Sequence, residues 1–323
     1  MTETENNQPE SARKWIAQLK IAGKEMETWE QRADKVIERY RDEKDSETSG
    51  NTLNILWSNT ETLKPNLYSN KPKPVVTRKF KDKNELGIQA ARILERVLEN
   101  TIDLYDFDDV GESTVEDYVL AGRCIAKAIY EPTYGETTQD KILASPGDLN
   151  AQLDEATGQY FTLSEEYQPV IYEEASCEYI HFKDFRHSVA KRWKDVSWCA
   201  YRSYLDRDDL IERFGNDVGN KIPLSESVIK DDSMDEPEET KKAGIWEIWD
   251  KKSGQVIWLS MDYKDILDRD DPPLTLDNFF PSPKPRYAIK TNNSLIPIPE
   301  FCQYQDQADE LDKITARIDR YRS

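Results

Sequence analysis

The sequence predicts an α+β protein, because its apolar pattern changes from helical to alternating near residue 122. Before that point, apolar side chains recur every three or four residues, most clearly at eight positions between residues 15 and 40. After it, short segments alternate apolar and polar side chains, as half-buried strands do. A glycine-centred hairpin at 245–259 supports the second part of this prediction.

The longest predicted helix lies near the start of the chain. Its apolar stripe runs from residue 15 to residue 40, which corresponds to a helix roughly 40 Å long. The charged run RDEKDSETSG follows it. The stripe consists of Trp15, Leu19, Ala22, Met26, Trp29, Ala33, Val36 and Tyr40.

Three shorter helices are predicted before the strands begin. One spans about 51–63 and ends where Lys64-Pro65 interrupts it, one spans about 84–103, and one spans 110–121 and ends at Gly122. The apolar positions of the first are Leu53, Leu56, Trp57, Thr60 and Leu63, and those of the second are Leu86, Ala90, Ile93, Val97 and Leu98.

Strands are predicted at 124–132, 168–180 and 196–205, and a hairpin pairs 245–250 with 255–259. A short helix is expected at 207–214, because Asp206 is a good N-cap and Gly215 a good terminator.

A last helix is expected after a proline-rich connector. It begins near Pro299 and continues in helical rhythm to Ser323, with no residue that would end it. We therefore expect that this chain is the front part of a longer protein. The helix has one apolar face, formed by Phe301, Tyr304, Ala308, Leu311, Ile314, Ile318 and Tyr321.

Negative charge is concentrated in two segments. The chain carries 44 Lys and Arg against 63 Asp and Glu, a net charge of −19. Residues 131–180 hold 11 acids and one base, and residues 231–240 hold six acids and no base. Long solvated loops are predicted at 133–167 and 216–243. This balance argues against broad, tight binding of nucleic acid by the chain as a whole.

A basic strip at 64–83 has the opposite charge, with seven Lys or Arg and one Asp. Pro65, Pro72 and Pro74 predict that it is extended rather than helical. Two roles are open for it: contact with phosphate, or pairing with an acidic surface.

No membrane or secretory segment is predicted. No stretch approaches the roughly 18–20 apolar residues of a membrane helix, and the N-terminus is polar and acidic. The cysteines at 124, 177, 199 and 302 are far apart, which favours buried thiols over a disulfide framework or a CxxC metal site.

No catalytic residue, cofactor site, metal site or nucleic-acid-binding residue is predicted. Motifs for a phosphate-binding loop, a nucleophile elbow or a calcium loop are absent from the sequence, and His181 and His187 are interpreted as structural. A metal-dependent nuclease is a minor alternative, based on four acid-x-Lys pairs: Asp42/Lys44, Glu239/Lys241, Asp250/Lys252 and Asp262/Lys264. A stacking platform of Trp246, Trp249 and Trp258 is another, although the first two point to opposite strand faces and at least one belongs to the core.

The order of these segments resembles the portal, or head-to-tail connector, protein of short-tailed double-stranded DNA bacteriophages. NILWSNTETLKPNLYSNKPKPVV (54–76) and EDYVLAGRCIAKAIYEP (116–132) are similar to its tryptophan-helix and Gly-Arg passages. FKDFRHSVAKRWKDVSWCAYRSYLDRDDLIERFG (182–215) is similar to its strand–loop–strand–helix unit. AGIWEIWDKKSGQVIWL (243–259) resembles its hairpin, and SLIPIPEFCQYQDQADELDKITARI (294–318) its stem entry.

The resemblance implies a portal-like wing: long amphipathic helices, a small mixed or antiparallel β region and the start of a stem helix. The wing would divide into a helical part at 1–130 and a β-rich part at 131–290, with the stem from 291 to 323. It implies no catalysis and no cofactor.

The implied partners follow from the same resemblance. They are further copies in a ring of twelve, the major capsid protein, terminase, tail or adaptor proteins, and double-stranded DNA that passes without sequence-specific binding. The implied location is the capsid vertex of the virion, after assembly in the bacterial cytoplasm. A cytoplasmic scaffold or adaptor is the alternative from a different class, and ring formation distinguishes the two.

Overall fold

The computed structural model describes residues 8–42, 54–79, 84–145, 151–154, 159–164, 166–227 and 240–322. The fold is α+β, as predicted. The helices of the described residues are α1 (Gln8–Arg41), α2 (Ile55–Leu67), α3 (Glu85–Leu104), α4 (Phe107–Leu120), α5 (Arg207–Phe214), α6 (Asn216–Gly219) and α7 (Gln305–Arg322).

The chain divides into a large compact unit, residues 1–128 with 177–323, and a small one, residues 129–176. The two boundaries between these units fall inside the first and fifth strands. The strands are β1 (Arg123–Tyr134), β2 (Lys141–Leu143), β3 (Gln152–Asp154), β4 (Gln159–Leu163), β5 (Val170–Ile180), β6 (Phe185–His187), β7 (Trp198–Leu205), β8 (Ala243–Asp250), β9 (Gln255–Ser260), β10 (Asp268–Asp270) and β11 (Arg286–Tyr287).

A five-stranded antiparallel sheet, in the order β10-β9-β8-β7-β6, organises the large unit. Its central strands are buried on both faces. On β7, Trp198 and Ala200 contact α1, whereas Cys199 and Tyr201 belong to the core cluster on the opposite face. This alternation follows from the two-residue period of a strand, and it leaves β8 and the first half of β7 almost continuously buried.

Helix α1 links this sheet to the other helices. Its N-terminal turns place Trp15, Leu19 and Ala22 against the sheet. Its middle turns pack Met26 and Trp29 against Phe182, and its last turns meet α2, α4 and α7. Seven of the eight predicted stripe residues are buried, and Tyr40 packs at the edge of the last cluster. The long helix is therefore confirmed, as is the face it buries.

The predicted loop at 133–167 is wrong for the residues that the structure describes. β1 continues to Tyr134, and β2, β4 and β3 form a three-stranded antiparallel sheet with β4 in the centre. The short strands KIL and QYFTL contain too few residues for alternation to be visible among the acids. In the other acidic loop, 216–243, the described residues include helix α6 and the start of β8, and residues 228–239 lie outside the described part.

The predicted stop of α2 at Lys64-Pro65 is also wrong, because the helix continues to Leu67. Pro65 lacks only its own N–H, so one bond is lost near the end of the helix. The side chain of Asn66 donates to the carbonyl of Thr62 at 2.8 Å. The backbone amide of Tyr68 donates to the carbonyl of Lys64 at 3.0 Å. These two bonds complete the last turn. The predicted start of this helix at residue 51 lies outside the described residues.

Most other predicted elements are confirmed. Asp206 and Asp209 form a capping box on α5, and Gly215 follows the helix with a φ of 79°. β8 and β9 form the predicted hairpin, with Gly254 at a φ of 73° in the turn. The last helix begins with a 3-10 turn at Glu300–Gln303 and becomes α-helical only at Gln305.

Candidate assembly surface

Helix α3 leaves its apolar face open. No side chain of this helix is buried, and every residue of it is described. Leu86 is 77% exposed, Ile93 64%, Leu104 63% and Val97 54%. At about 100° per residue these four side chains lie within about 40° of one another, and Leu94 and Leu98 lie to one side of them, at about 80° and 120°. We call these six residues the α3 stripe.

Local signals explain why this segment is helical although its apolar face is open. The side chain of Asn84 accepts a hydrogen bond from the amide of Leu86 at 3.1 Å and so caps the first turn. Most of the 20 residues are good helix formers. A helix about 30 Å long with an open apolar stripe is typical of an interaction surface.

The basic strip covers the opposite side of α3. The amide of Val76 donates to Glu95 at 3.0 Å, and the ammonium of Lys71 lies 3.3 Å from Asp103 and 3.5 Å from Asp108. Glu95 lies about 180° from the centre of Leu86, Ile93, Val97 and Leu104, and Asp103 lies about 100° from it, on the side away from Leu94 and Leu98. The strip therefore holds the polar side of the helix, and the apolar side faces outward.

Lys64, at the start of the strip, is also paired with acids of its own chain. Its ammonium lies 2.6 Å from Glu116 and 3.2 Å from Glu61. Burial lowers the pKa of Lys64, but hydrogen bonds to Glu116 and Tyr40 and the charge of Glu116 outweigh it, so the pKa is raised. For Lys64 and Lys71, the described contacts are with acids of the same chain.

A second apolar stripe is open on α7. The first half of this helix is packed, with Ala308 buried beside Leu56 and Phe301. In its second half Ile314 is 44% exposed and Ile318 47% exposed. These two residues and the fully exposed Tyr321 follow one another at intervals of four and three, so they share one face. We call these three residues the α7 stripe.

A polar cavity of about 420 Å³ lies between α2 and α4, and Asp117 is the buried carboxylate at its edge. One oxygen of Asp117 accepts from the hydroxyl of Tyr179 at 2.8 Å and from the amide of Phe182 at 3.0 Å. Burial raises the pKa of Asp117 to about 7, although both hydrogen bonds act in the opposite direction. This carboxyl group therefore changes between its protonated and its charged form near neutral pH.

Arg123 connects the elements next to this cavity. Its guanidinium is fully buried and donates to the carbonyls of Phe182 and Phe185 at 2.7 and 3.1 Å. It also lies 4.4 Å from the ring centre of Trp29 on α1. Burial lowers the pKa of Arg123 to about 10, so it stays charged at neutral pH. The residue joins α1, β1 and the 182–185 turn through a single side chain.

The structure places the two histidines differently. His187 is buried, its Nδ1 lies 3.0 Å from the carbonyl of Ser188, and burial lowers its pKa to about 4. His181 is partly exposed, and its ring accepts from the amide of Lys183. All four cysteines are free thiols, with Cys124 and Cys199 buried.

The acid-x-Lys pairs are not brought together in the described part of the chain. Asp250 accepts from the amides of Lys252 and Ser253 in the hairpin turn, and Asp262 accepts from the hydroxyl of Ser225. Lys44 and Glu239 lie outside the described residues. Within those residues, no three His, Cys, Asp or Glu side chains converge as metal ligands would.

The tryptophans of the hairpin belong to the protein interior. Trp246 and Trp249 are 3% and 5% exposed and lie in core clusters on opposite faces of the sheet, as their spacing predicts. Trp258 is half-buried and lies under the guanidinium of Arg213 at 4.8 Å. The alternative of an open stacking platform at this hairpin is therefore wrong.

Sequence reasoning identified α3 as a helix but did not identify its exposure. Its apolar residues occur in the same rhythm as those of α1, and nothing local distinguishes a buried stripe from an open one. No helix in the described residues is both long enough and apolar enough to cross a membrane. No protein-family model matches the chain, and no curated protein matches it.

Proposed function

We propose that this chain is a structural subunit of a homo-oligomeric ring, and that the ring is the portal of a short-tailed double-stranded DNA bacteriophage. The observation that carries the proposal is the open α3 stripe. Six apolar side chains on one helix, each at least 39% exposed, form a surface that needs a partner.

A ring requires two different surfaces on each subunit. Head-to-tail contacts close into a ring when one patch of a subunit meets another patch of its neighbour. The α3 stripe and the α7 stripe are two separate apolar patches on one chain, so they supply this requirement. A two-fold dimer would need only one of them.

The proposed role involves no chemical step. The ring forms the channel through which DNA is packaged and ejected, and it resides at the capsid vertex of the virion. The major capsid protein, terminase and tail or adaptor proteins are its proposed partners. A net charge of −19 supports the role of a conduit, because a surface that is negative over most of its area does not hold a moving duplex along its length.

The test is a double substitution on the α3 stripe, Ile93→Glu with Val97→Glu. Because both side chains are exposed in the single chain, their replacement leaves the fold intact but introduces two charges into the proposed contact. We expect closed rings for the unsubstituted chain and monomers for the variant, measured by mass photometry and negative-stain electron microscopy.

Ile21→Glu with Val189→Glu is the matched control. Ile21 is 60% exposed and Val189 59%, and the pair changes the net charge by the same amount. The control should assemble like the unsubstituted chain. A monomeric unsubstituted chain, or equal assembly of both variants, would overturn the proposal. Binding of a different protein by a monomeric chain would favour the scaffold or adaptor alternative.

A further inference from the structure

A second cavity has a charge opposite to that of the chain as a whole. It has a volume of about 540 Å³ and lies at the edge of the five-stranded sheet. Six cationic side chains, all of exposed residues, surround it: Lys191, Arg192, Lys194, Lys251, Lys284 and Lys290. We call it the lysine cavity.

The cations come from separate segments that the fold brings together. Three precede β7, one lies in the β8–β9 turn, and two lie in the proline-rich connector and the segment after β11. Only the run KRWK at 191–194 is visible as a local basic signal in the sequence. The other three bases are 57 or more residues further along the chain, so sequence reasoning missed the site.

Most of this charge is not neutralised. Arg192 pairs with Asp195 at 2.9 Å. For the five lysines, the described part of the chain provides no carboxylate within 4.0 Å. The ammonium of Lys251 lies instead 5.3 Å from the ring centre of Phe280, and that of Lys290 lies 5.7 Å from the ring centre of Tyr287. Clustered ammonium groups repel one another and are stabilised by an anion placed among them.

The floor of the cavity is held in place. The ring of Trp193 packs 5.8 Å from that of Phe280 and 6.3 Å from that of Phe185. The amide of Lys251 donates to the carbonyl of Ser197 at 2.9 Å, which fixes the hairpin turn against the β6–β7 connection. The ring of Trp193 and the backbone of Lys251 therefore form a fixed floor, and a bound anion would still have to order the exposed lysine side chains above it.

We propose that the lysine cavity binds phosphate groups of a nucleic-acid strand without reading its sequence. Five of the six cations are lysines, which bind phosphate as point charges and do not require the planar, bidentate geometry that arginine offers to carboxylate and phosphate alike. The one arginine is already paired with Asp195. Asn278 and Asn292 add amide donors at the cavity wall.

The overall negative charge does not prevent this binding near physiological salt. At about 0.15 M salt the Debye length is about 8 Å, so distant acids are screened while cations in contact with phosphate are not. Affinity should fall as salt is raised, because each neutralised phosphate releases bound counterions. This site does not depend on ring formation, so its test is separate from that of the proposed function.

The test measures fluorescence anisotropy of labelled 20-nucleotide single strands and 20-base-pair duplexes between 50 and 200 mM KCl. The variant is Lys191→Glu with Lys194→Glu and Lys284→Glu. We expect at least tenfold weaker binding at 50 mM, and a slope of log affinity against log salt that is smaller by about 2–3, as expected for three lost phosphate contacts.

The matched control is Lys20→Glu with Lys24→Glu and Lys35→Glu, three exposed lysines of α1. Both triple variants change the net charge from −19 to −25, since each substitution changes it by two. The control should bind like the unsubstituted chain. An equal loss in both variants, or no binding by the unsubstituted chain at 50 mM, would overturn the proposal.

Two competitors distinguish other occupants. Inorganic triphosphate that competes as strongly as the strand would overturn the nucleic-acid assignment and leave a site for small phosphates. A peptide of residues 231–240, which carries six acids and no base, would overturn the phosphate assignment if it bound more tightly than the strand. The proposal is supported if both the triphosphate and the peptide compete less strongly than an unlabelled strand.

Discussion

Asp117 is buried and uses a single oxygen to accept from both the hydroxyl of Tyr179 and the amide of Phe182. Its pKa is raised to about 7 in the folded chain and lies near 3.9 in an unfolded one. Between these values the folded state binds more protons than the unfolded state. Its contribution to stability is therefore fully present below pH 4 and is lost as pH rises through 7.

The substitution Asp117→Asn should flatten this pH dependence. The amide oxygen of asparagine can accept from the same two donors but does not titrate. At pH 8 we expect the variant to be more stable than the unsubstituted chain by about 1–4 kcal/mol, and at pH 4 close to it. Urea unfolding at both pH values measures this. Asp277→Asn, at an exposed carboxylate, is the control. If the free energy of unfolding depended on pH in the same way in all three proteins, Asp117 would not have the raised pKa of a buried carboxyl group.

Arg123 shows how one residue can connect several elements. Its guanidinium donates to two carbonyl groups and lies over the face of Trp29 rather than beside a carboxylate, and its buried Nε has no hydrogen-bond partner among the described residues. In the sequence it appears only as the residue after a helix-ending glycine. Its role depends on Phe182 and Phe185, which lie about 60 residues away. Local pattern alone therefore could not identify it.

At the scale of elements, two helical glycines provide a matched pair for testing how α3 and α4 are packed. A Cβ added at Gly111 on α4 would lie 2.6 Å from the ring of Tyr68, whose hydroxyl donates to Asp108 at 2.7 Å. A Cβ added at Gly87 on α3 would lie 2.4 Å from the end of the Arg78 side chain. The guanidinium of Arg78 donates to the carbonyl of Asn84 at 3.3 Å, but it lies at the end of a long side chain that can shift by bond rotation. The ring of Tyr68 is short-tethered and held at its hydroxyl, so it cannot shift in this way.

The substitutions Gly87→Ala and Gly111→Ala should therefore differ in sign. Alanine favours a helix by about 0.8–1 kcal/mol over glycine, and at Gly87 most of this gain should remain. At Gly111 the displaced ring should outweigh it, giving a loss of about 1–2 kcal/mol. Thermal unfolding of the two variants measures the difference. Stabilisation at both positions would mean that Tyr68 does not pack on α4 as described.

At the scale of the whole molecule, charge sets the salt dependence of self-association. Residues 131–180 and 231–240 together carry a charge of −16, and each copy in a ring repeats it. The Debye length is about 30 Å at 0.01 M salt and about 8 Å at 0.15 M, so repulsion between neighbours is strong only at low salt. Apolar contacts through the α3 and α7 stripes change little over this range.

We therefore expect the assembled fraction to rise between 0.01 and 0.15 M salt, as measured by mass photometry. The seven bases of the basic strip cannot neutralise the 17 acids of the two acidic segments, and Lys64 and Lys71 already pair with acids of their own chain. Exposed pairs of this kind contribute about 0–1 kcal/mol each. The α3 variant should remain monomeric at every salt concentration. An assembled fraction that falls steadily with salt would instead show that ion pairs hold the copies together.

Local pattern was sufficient for the elements whose signals lie within a few residues. The α1 stripe, the Asp206 cap, the Gly254 hairpin and the opposed faces of Trp246 and Trp249 follow from periods of 3.6 and 2.0 and from backbone preferences. It failed at α2, where a side-chain bond from Asn66 extends the helix past Pro65, and at 133–167, where three short strands lie among acids.

By itself, the sequence determined the α+β class, the long helix and its buried face, and the strands at the centre of the sheet, because these depend on periodicity. Only the tertiary structure decided which apolar faces stay open and which charges meet. α1 and α3 have similar apolar rhythms, yet one lies on a sheet and the other faces solvent. The lysine cavity collects bases separated by up to 99 residues. Burial and charge clustering depend on long-range packing, which the order of residues within one segment does not encode.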